Sequence, residues 1–164
     1  MTSAYLPFDP KRKNVEDCND FYYMNQINPR IWLGSAKSRL YVKEMGITAV
    51  ISIVSPSQRE SRLTKITDTN IIEYPIDLVD HPSANIIDVI YQVTDILNRE
   101  YEIFLVHCIA GKSRSPSALI GYFMLIYGID YHEAFEMIFM RRPCIRPNPG
   151  FREQLQSDWI PSYY

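Results

Sequence analysis

Residues 106–116 read VHCIAGKSRSP, and their types and spacing could handle a phosphate. An apolar run ends at His107 and Cys108, and five residues separate Cys108 from Arg114. Gly111 lets the backbone turn tightly, so that successive N–H groups can point inward and cradle an anion. A helix opening just after Arg114 would aim the positive end of its dipole at the same point. Arg114 can add a guanidinium fork matched to two phosphoryl oxygens. That positive surrounding favours a thiolate on Cys108, and a thiolate beside an anion cradle is a nucleophile directed at phosphorus.

The elements around this stretch must place it at a strand-to-helix junction. FYYMNQI and RIWLG, on either side of Asn28-Pro29, predict two short strands about a turn. Ser35 to Met45 predicts a short helix closed by Gly46, and ITAVISIV a buried strand. The polar run SPSQRESRLTKITDT predicts loop with at most a helical turn, and NIIEYPI another strand. Asn85 to Arg99 carries apolar residues on one helical face, with Ser83 or Asn85 as cap. IFLV predicts a strand buried on both sides. Ser115 and Pro116 predict the cap and first turn of a helix running to Tyr127 and stopped by Gly128. Asp130 with Glu133 forms a capping-box pattern for a helix to about Met140. Arg141 to Gly150 predicts a loop, and Phe151 to about Trp159 a final helix. Strands alternating with helices predict a single α/β domain, a central mostly parallel twisted sheet flanked by helices. In such sheets ligands bind beyond the carboxyl ends of the strands, where the Cys108 loop falls.

Composition agrees with a globular chain and excludes some alternatives. The 164 residues are 46% hydrophobic and 22% charged, with a net charge of −2, so nothing in the overall field favours a nucleic-acid partner. No window approaches the apolar length of a membrane span. Cys18, Cys108 and Cys144 show no paired spacing, which predicts free thiols in a reducing compartment, cytoplasmic, nuclear or both. Residues 1–20, with KRK at Lys11 to Lys13 beside Glu16 and Asp17, read as an arm before a catalytic domain over 21–164.

His107-Cys108-x5-Arg114-Ser115 resembles the signature of the protein tyrosine phosphatase superfamily, and AGKSRS is most similar to its dual-specificity branch. IWLGS with GITAVISIV, DHPSANI, SALIGYFML and RRPCIRPNPGF extend the resemblance over roughly residues 22 to 158. The resemblance implies a protein tyrosine phosphatase-like fold with Cys108 as nucleophile, forming a phosphocysteine. It implies that Arg114 and the amides of Ile109 to Arg114 bind the phosphoryl oxygens. Ser115 would donate to the cysteine sulfur, His107 would orient and polarise the loop without acting as a base, and Asn148 would brace the loop from behind. The general acid would be an upstream aspartate, protonating the leaving oxygen and then activating water. Asp77 ends a strand and Asp88 lies on the polar face of a helix. Asp80, in the loop six residues before Ile86, is the position the resemblance selects.

Several residues have plainer readings. Cys18 and Cys144 read as small buried hydrophobes, His81 and His132 as surface residues, and Tyr127 with Phe135 to Phe139 as core. Arg141, Arg142 and Arg146 fall in a segment that, by the resemblance, lines the pocket rim. They read either as a solvated basic turn or as a secondary site for a doubly phosphorylated substrate. No histidine–carboxylate cluster has ligand spacing, so neither a metal nor another cofactor is expected.

The resemblance implies a pocket shallow enough for phosphoserine and phosphothreonine as well as phosphotyrosine in a phosphorylated protein substrate. Lys112 keeps two alternatives open. Some phosphoinositide phosphatases carry lysine at that position, although their second loop lysine would fall at Ile109. Others of the superfamily attack the 5′-triphosphate of RNA. A phosphate-binding module without turnover is a further alternative.

Overall fold

The computed structural model describes residues 23–99 and 102–164; the predicted arm, its basic cluster and Cys18 lie outside the described residues. Five strands form one sheet: β1 (Met24–Asn28), β2 (Ile31–Gly34), β3 (Ala49–Val54), β4 (Ile72–Asp77) and β5 (Phe104–His107). Their spatial order is β1-β2-β5-β3-β4. Only β1 runs antiparallel, paired to β2; the β2–β5, β5–β3 and β3–β4 pairings are parallel. The predicted α/β class and mostly parallel sheet are what the chain adopts. The β5 strand lies at the centre, with all four of its residues buried, so its carboxyl end opens in the middle of the sheet edge.

Helices cover the sheet unequally. On one face pack α2 (Ile86–Leu97), α3 (Arg114–Tyr127), α4 (Tyr131–Phe139) and α5 (Pro149–Gln156), burying the larger core. Within that core α2 and α3 approach closely: a Cβ on Gly121 would meet Ile90 Cδ1 at 2.3 Å. The other face is covered by a 3-10 helix (Ala36–Tyr41) and holds a smaller cluster around Met24, Trp32, Val50 and Leu105. Of the proposed caps for α2, Asn85 is the one used, accepting from the amides of Ile87 (3.0 Å) and Asp88 (3.3 Å). The Asp130–Glu133 capping box of α4 forms as its residue types dictate.

Five local expectations need correction. Pro56–Arg62 is a helix, α1, within the stretch predicted as loop. It buries no residue and so carries no apolar periodicity; Ser55 and Gln58 form a capping box, and Pro56 pre-sets the first turn. Only Ala36–Tyr41 of the predicted Ser35–Met45 helix is helical, and α5 runs from Pro149 to Gln156 rather than to Trp159. Ser113, not Ser115, stands at the N-cap of α3, so Pro116 is the third helical residue, where its missing N–H leaves no gap in the ladder. Tyr127 stacks on Phe123 with centroids 5.7 Å apart but is 56% exposed, outside the core.

Candidate active site

The loop from Cys108 to Ser113 joins the end of β5 to the start of α3, and its peptide groups are oriented by hydrogen bonds from outside. Every carbonyl in the run accepts a donor. Cys108 O accepts from His107 Nδ1 at 2.8 Å and Ile109 O from the Ala36 amide at 2.9 Å. Ala110 O and Gly111 O accept from Arg142 Nη2 (3.3 Å) and Nε (2.9 Å). Lys112 O accepts from the Arg146 amide at 2.5 Å, and Ser113 O from the Ser117 amide at 2.9 Å. In a trans peptide the next N–H points opposite to the carbonyl. The amides of residues 109 to 114 therefore turn the other way, and none of them donates to another described residue. Unpaired inward amides in a row make an anion-binding concavity.

Gly111 makes this turn possible. Its φ is 68°, and a Cβ there would lie 2.5 Å from the backbone of Gly34 and 2.8 Å from Arg142 Nη2. Only glycine satisfies both the conformation and the space.

Cys108 is 2% exposed, and its Sγ accepts a hydrogen bond from Ser115 Oγ at 3.2 Å. That contact explains why Ser115 does not cap the helix: its hydroxyl is turned to sulfur. Arg114 is 4% exposed. One nitrogen, Nη1, donates to Gln58 Oε1 at 2.7 Å and to Leu78 O at 3.0 Å, while buried Nε has no partner among the described residues. A fixed guanidinium with a donor left over is suited to take an oxyanion.

His107 is fully buried behind the loop. A carbonyl can only accept, so Nδ1 carries the proton it gives to Cys108 O. Nε2 then accepts from Ser52 Oγ at 2.7 Å, and Ser52 Oγ in turn accepts from Arg39 Nη1 at 3.0 Å. Burial pushes the His107 pKa down to about 3; the nearby Arg39 and Arg114 charges act the same way, and its backbone hydrogen bond opposes them. The imidazole is thus a neutral connector between sheet and loop, unavailable as a base near neutral pH.

Of the three aspartates, Asp80 is the one hydrogen-bonded to the loop. Its Oδ1 accepts from Ser113 Oγ at 2.8 Å and from Asn148 Nδ2 at 2.9 Å. Asp77 instead pairs with Arg59 at 2.6 Å, and Asp88 accepts from Asn85 Nδ2 at 2.9 Å in the first turn of α2. The segment after Asp80 is pressed against the start of α5: a Cβ on Gly150 would lie 1.8 Å from Pro82 O.

Asn148 caps α5 through Oδ1, and its backbone amide donates to Ser113 Oγ at 3.0 Å. It therefore stands beside Asp80, while the back of the loop is held by Arg142. The grouping of Arg142 with rim residues is corrected here: it is 1% exposed and spans from the loop to Asn25 Oδ1 at 2.9 Å. Arg141 and Arg146 are exposed, as are His81 and His132, and Cys144 is buried. Sequence reasoning missed Gln58, Ser52, Arg39 and Asn25. Only Gln58 carried a local signal, the Ser55-x-x-Gln58 capping pattern after a strand. No group of three or more His, Cys, Asp or Glu side chains able to hold a metal ion occurs among the described residues. No described helix is long and apolar enough to cross a membrane.

Comparison with known proteins follows the same outline. Residues 31–158 match the family model described as dual specificity phosphatase, catalytic domain. A human serine/threonine/tyrosine-interacting protein is 32% identical over 170 aligned residues, covering 95% of this chain and 75% of the relative. Dual specificity protein phosphatase 22-B of Danio rerio is 30% identical over 142 residues, covering 81% of this chain and 72% of the relative. The crystal structure of the human tyrosine phosphatase-like serine/threonine/tyrosine-interacting protein superposes with a TM-score of 0.75 at 30% identity. It covers 81% of this chain and 93% of that one.

Proposed function

The chain belongs to the dual specificity phosphatase family, and from that membership we propose that it is an active protein phosphatase acting on phosphotyrosine and on phosphoserine or phosphothreonine. The observation that carries the reading is the row of carbonyls from Cys108 to Ser113, all held outward, which frees the amides of Ile109 to Arg114 for a phosphoryl group.

In the first step the Cys108 thiolate attacks phosphorus, and the bond from phosphorus to the substrate oxygen breaks. The Arg114 guanidinium and the loop amides hold the equatorial oxygens, where charge spreads in the transition state. Asp80 gives its proton to the departing oxygen. In the second step Asp80 takes a proton from water, which attacks the phosphocysteine. The sulfur leaves as thiolate, stabilised by the Ser115 hydroxyl, and inorganic phosphate is released. The chemistry needs no metal or other cofactor.

A second reading has support in the comparisons. The human relatives are described as an interacting protein and as tyrosine phosphatase-like, words that fit phosphate recognition without turnover. The residues present here favour turnover, because Cys108, Arg114, Ser115 and an aspartate hydrogen-bonded to the loop stand together. The test is phosphate release from matched phosphotyrosine and phosphothreonine peptides, a phosphoinositide and a 5′-triphosphate RNA, with Cys108→Ser as blank. Cys108-dependent release from both peptides is expected. Preference for lipid or RNA would overturn the protein-substrate reading and make Lys112 the residue to examine. Peptide binding without release would put the second reading first.

A further inference from the structure

His107 links Cys108 O, through Ser52 and Arg39, to the outer face of β3 and β4. A cavity of about 290 Å³ opens on the outer face of β3 and β4, lined by Arg39, Ser52, Arg59, Leu63, Lys65, Glu73 and Pro75. The register pairs Ser52 with Pro75 and Val50 with Glu73, so these side chains share the face not covered by α2 to α5. Helix α1 and the segment after it form the facing wall.

The lining is cationic in excess. Arg39, 7% exposed, is fully engaged: Nε donates to Thr64 O at 2.9 Å, Nη1 to Ser52 Oγ, and Nη2 to Glu73 Oε1 at 2.7 Å. Arg59 pairs through Nη1 with Asp77, but its Nε and Nη2 are buried with no partner among the described residues. Lys65 has no acidic partner among the described residues. With each carboxylate matched to one arginine, Lys65 leaves one positive charge over, and Arg59 leaves two N–H donors unsatisfied. Buried donors without acceptors are costly, and an oxyanion relieves that cost while neutralising the charge. The Arg59 side chain is 30% exposed, and its Nε and Nη2 form one edge of the planar guanidinium. That pair is the edge by which arginine grips a phosphoryl or sulfate group.

We propose that this cavity binds a small tetrahedral oxyanion, held by Arg59 and Lys65 over the Arg39–Glu73 floor. The occupant is a phosphoryl group, either free phosphate or a second phosphoryl carried by a substrate. The site does not depend on turnover at Cys108. It shares Arg39 and Ser52 with the chain that ends on Cys108 O, so it adjoins the loop without being part of it.

The test is a titration of the full chain with inorganic sulfate, followed residue by residue in ¹H–¹⁵N correlation spectra that include the arginine side-chain Nε–H. Two independent saturating sets are expected: the amides of residues 109 to 114, and the Arg59 Nε–H with the Lys65 amide. In the double variant Arg59→Gln, Lys65→Ala, which lacks the Arg59 Nε–H, the response of the backbone amide at position 65 should weaken by about tenfold or more in apparent affinity while the first set is unchanged. Shifts confined to the loop overturn the proposal, and so does a second set that survives the double variant. Failure of the loop set alone would count against the phosphatase reading and leave the cavity standing. A parallel arm adds singly and doubly phosphorylated peptides to Cys108→Ser protein. Cavity shifts from the doubly phosphorylated peptide support a substrate phosphoryl as occupant, and cavity shifts from sulfate alone support free phosphate.

Discussion

Arg142→Met isolates the strut that holds the loop open. The buried guanidinium donates to Gly111 O at 2.9 Å, Asn25 Oδ1 at 2.9 Å and Ala110 O at 3.3 Å. Methionine has comparable bulk, so the change removes donors with little cavity. Two short bonds from a charged donor contribute about 1.5–3 kcal/mol each, and their acceptors, Gly111 O and Asn25 Oδ1, are left behind buried. Against this stands the recovered desolvation of a buried cation, worth several kcal/mol. We expect a net loss of about 3 kcal/mol, which for a domain of this size lowers Tm by about 6–12 °C. Chemical denaturation with matched m-values measures it, and Arg141→Met, at an exposed position, should stay within about 0.5 kcal/mol as control. The loop effect should exceed the global one. With Ala110 and Gly111 carbonyls free to turn inward, the variant should bind vanadate at least about tenfold more weakly at a temperature where it is still folded. Arg142→Lys, which keeps charge but cannot reach both carbonyls and Asn25, should fall between. A methionine variant as stable as the parent, with unchanged vanadate affinity, would refute the assignment of Arg142 as the strut.

Three further outcomes are expected. His107 is neutral in the fold with a pKa of about 3, whereas the unfolded chain takes a proton near the ordinary histidine value of about 6.5. Stability should therefore decline as pH falls from about 6.5 toward 3, by up to about 1.4 kcal/mol per pH unit from this group, and a His107→Gln variant should lose that part of the slope. Asp80→Asn should slow hydrolysis of an aryl phosphate with a poor leaving group by about 10²-fold or more while affecting a good one far less; a uniform decrease in the two rates would remove Asp80 as the acid. Gly150→Ala places a methyl 1.8 Å from Pro82 O, so it should cost about 1–3 kcal/mol in a melt and shift the Asp80 segment, with the poor-leaving-group rate suffering more than the good one.

What the sequence could express was whatever neighbouring residues settle among themselves. Cys108 to Ser115 are contiguous, so their cradle and their position at a strand end were legible from types and spacing. The same holds for Asn85 and Asp130, whose caps reach only two or three residues along the chain. Helix α1 escaped because a helix that buries nothing shows no apolar period, although its capping box was written in Ser55 and Gln58. Tertiary structure alone decided which distant side chains serve the loop. Arg142 meets Asn25 across 117 positions, Arg114 meets Gln58 across 56, and His107 meets Ser52 across 55. The β1-β2-β5-β3-β4 order brings the ends of β3 and β5 side by side, and the packing of the segment after α4 puts Arg142 on the Gly111 and Ala110 carbonyls. An arginine in a proline-rich stretch reads the same whether it faces solvent or fills the core. Its surroundings are set by the packing of other elements, and only there does Arg142 become the donor that two loop carbonyls require.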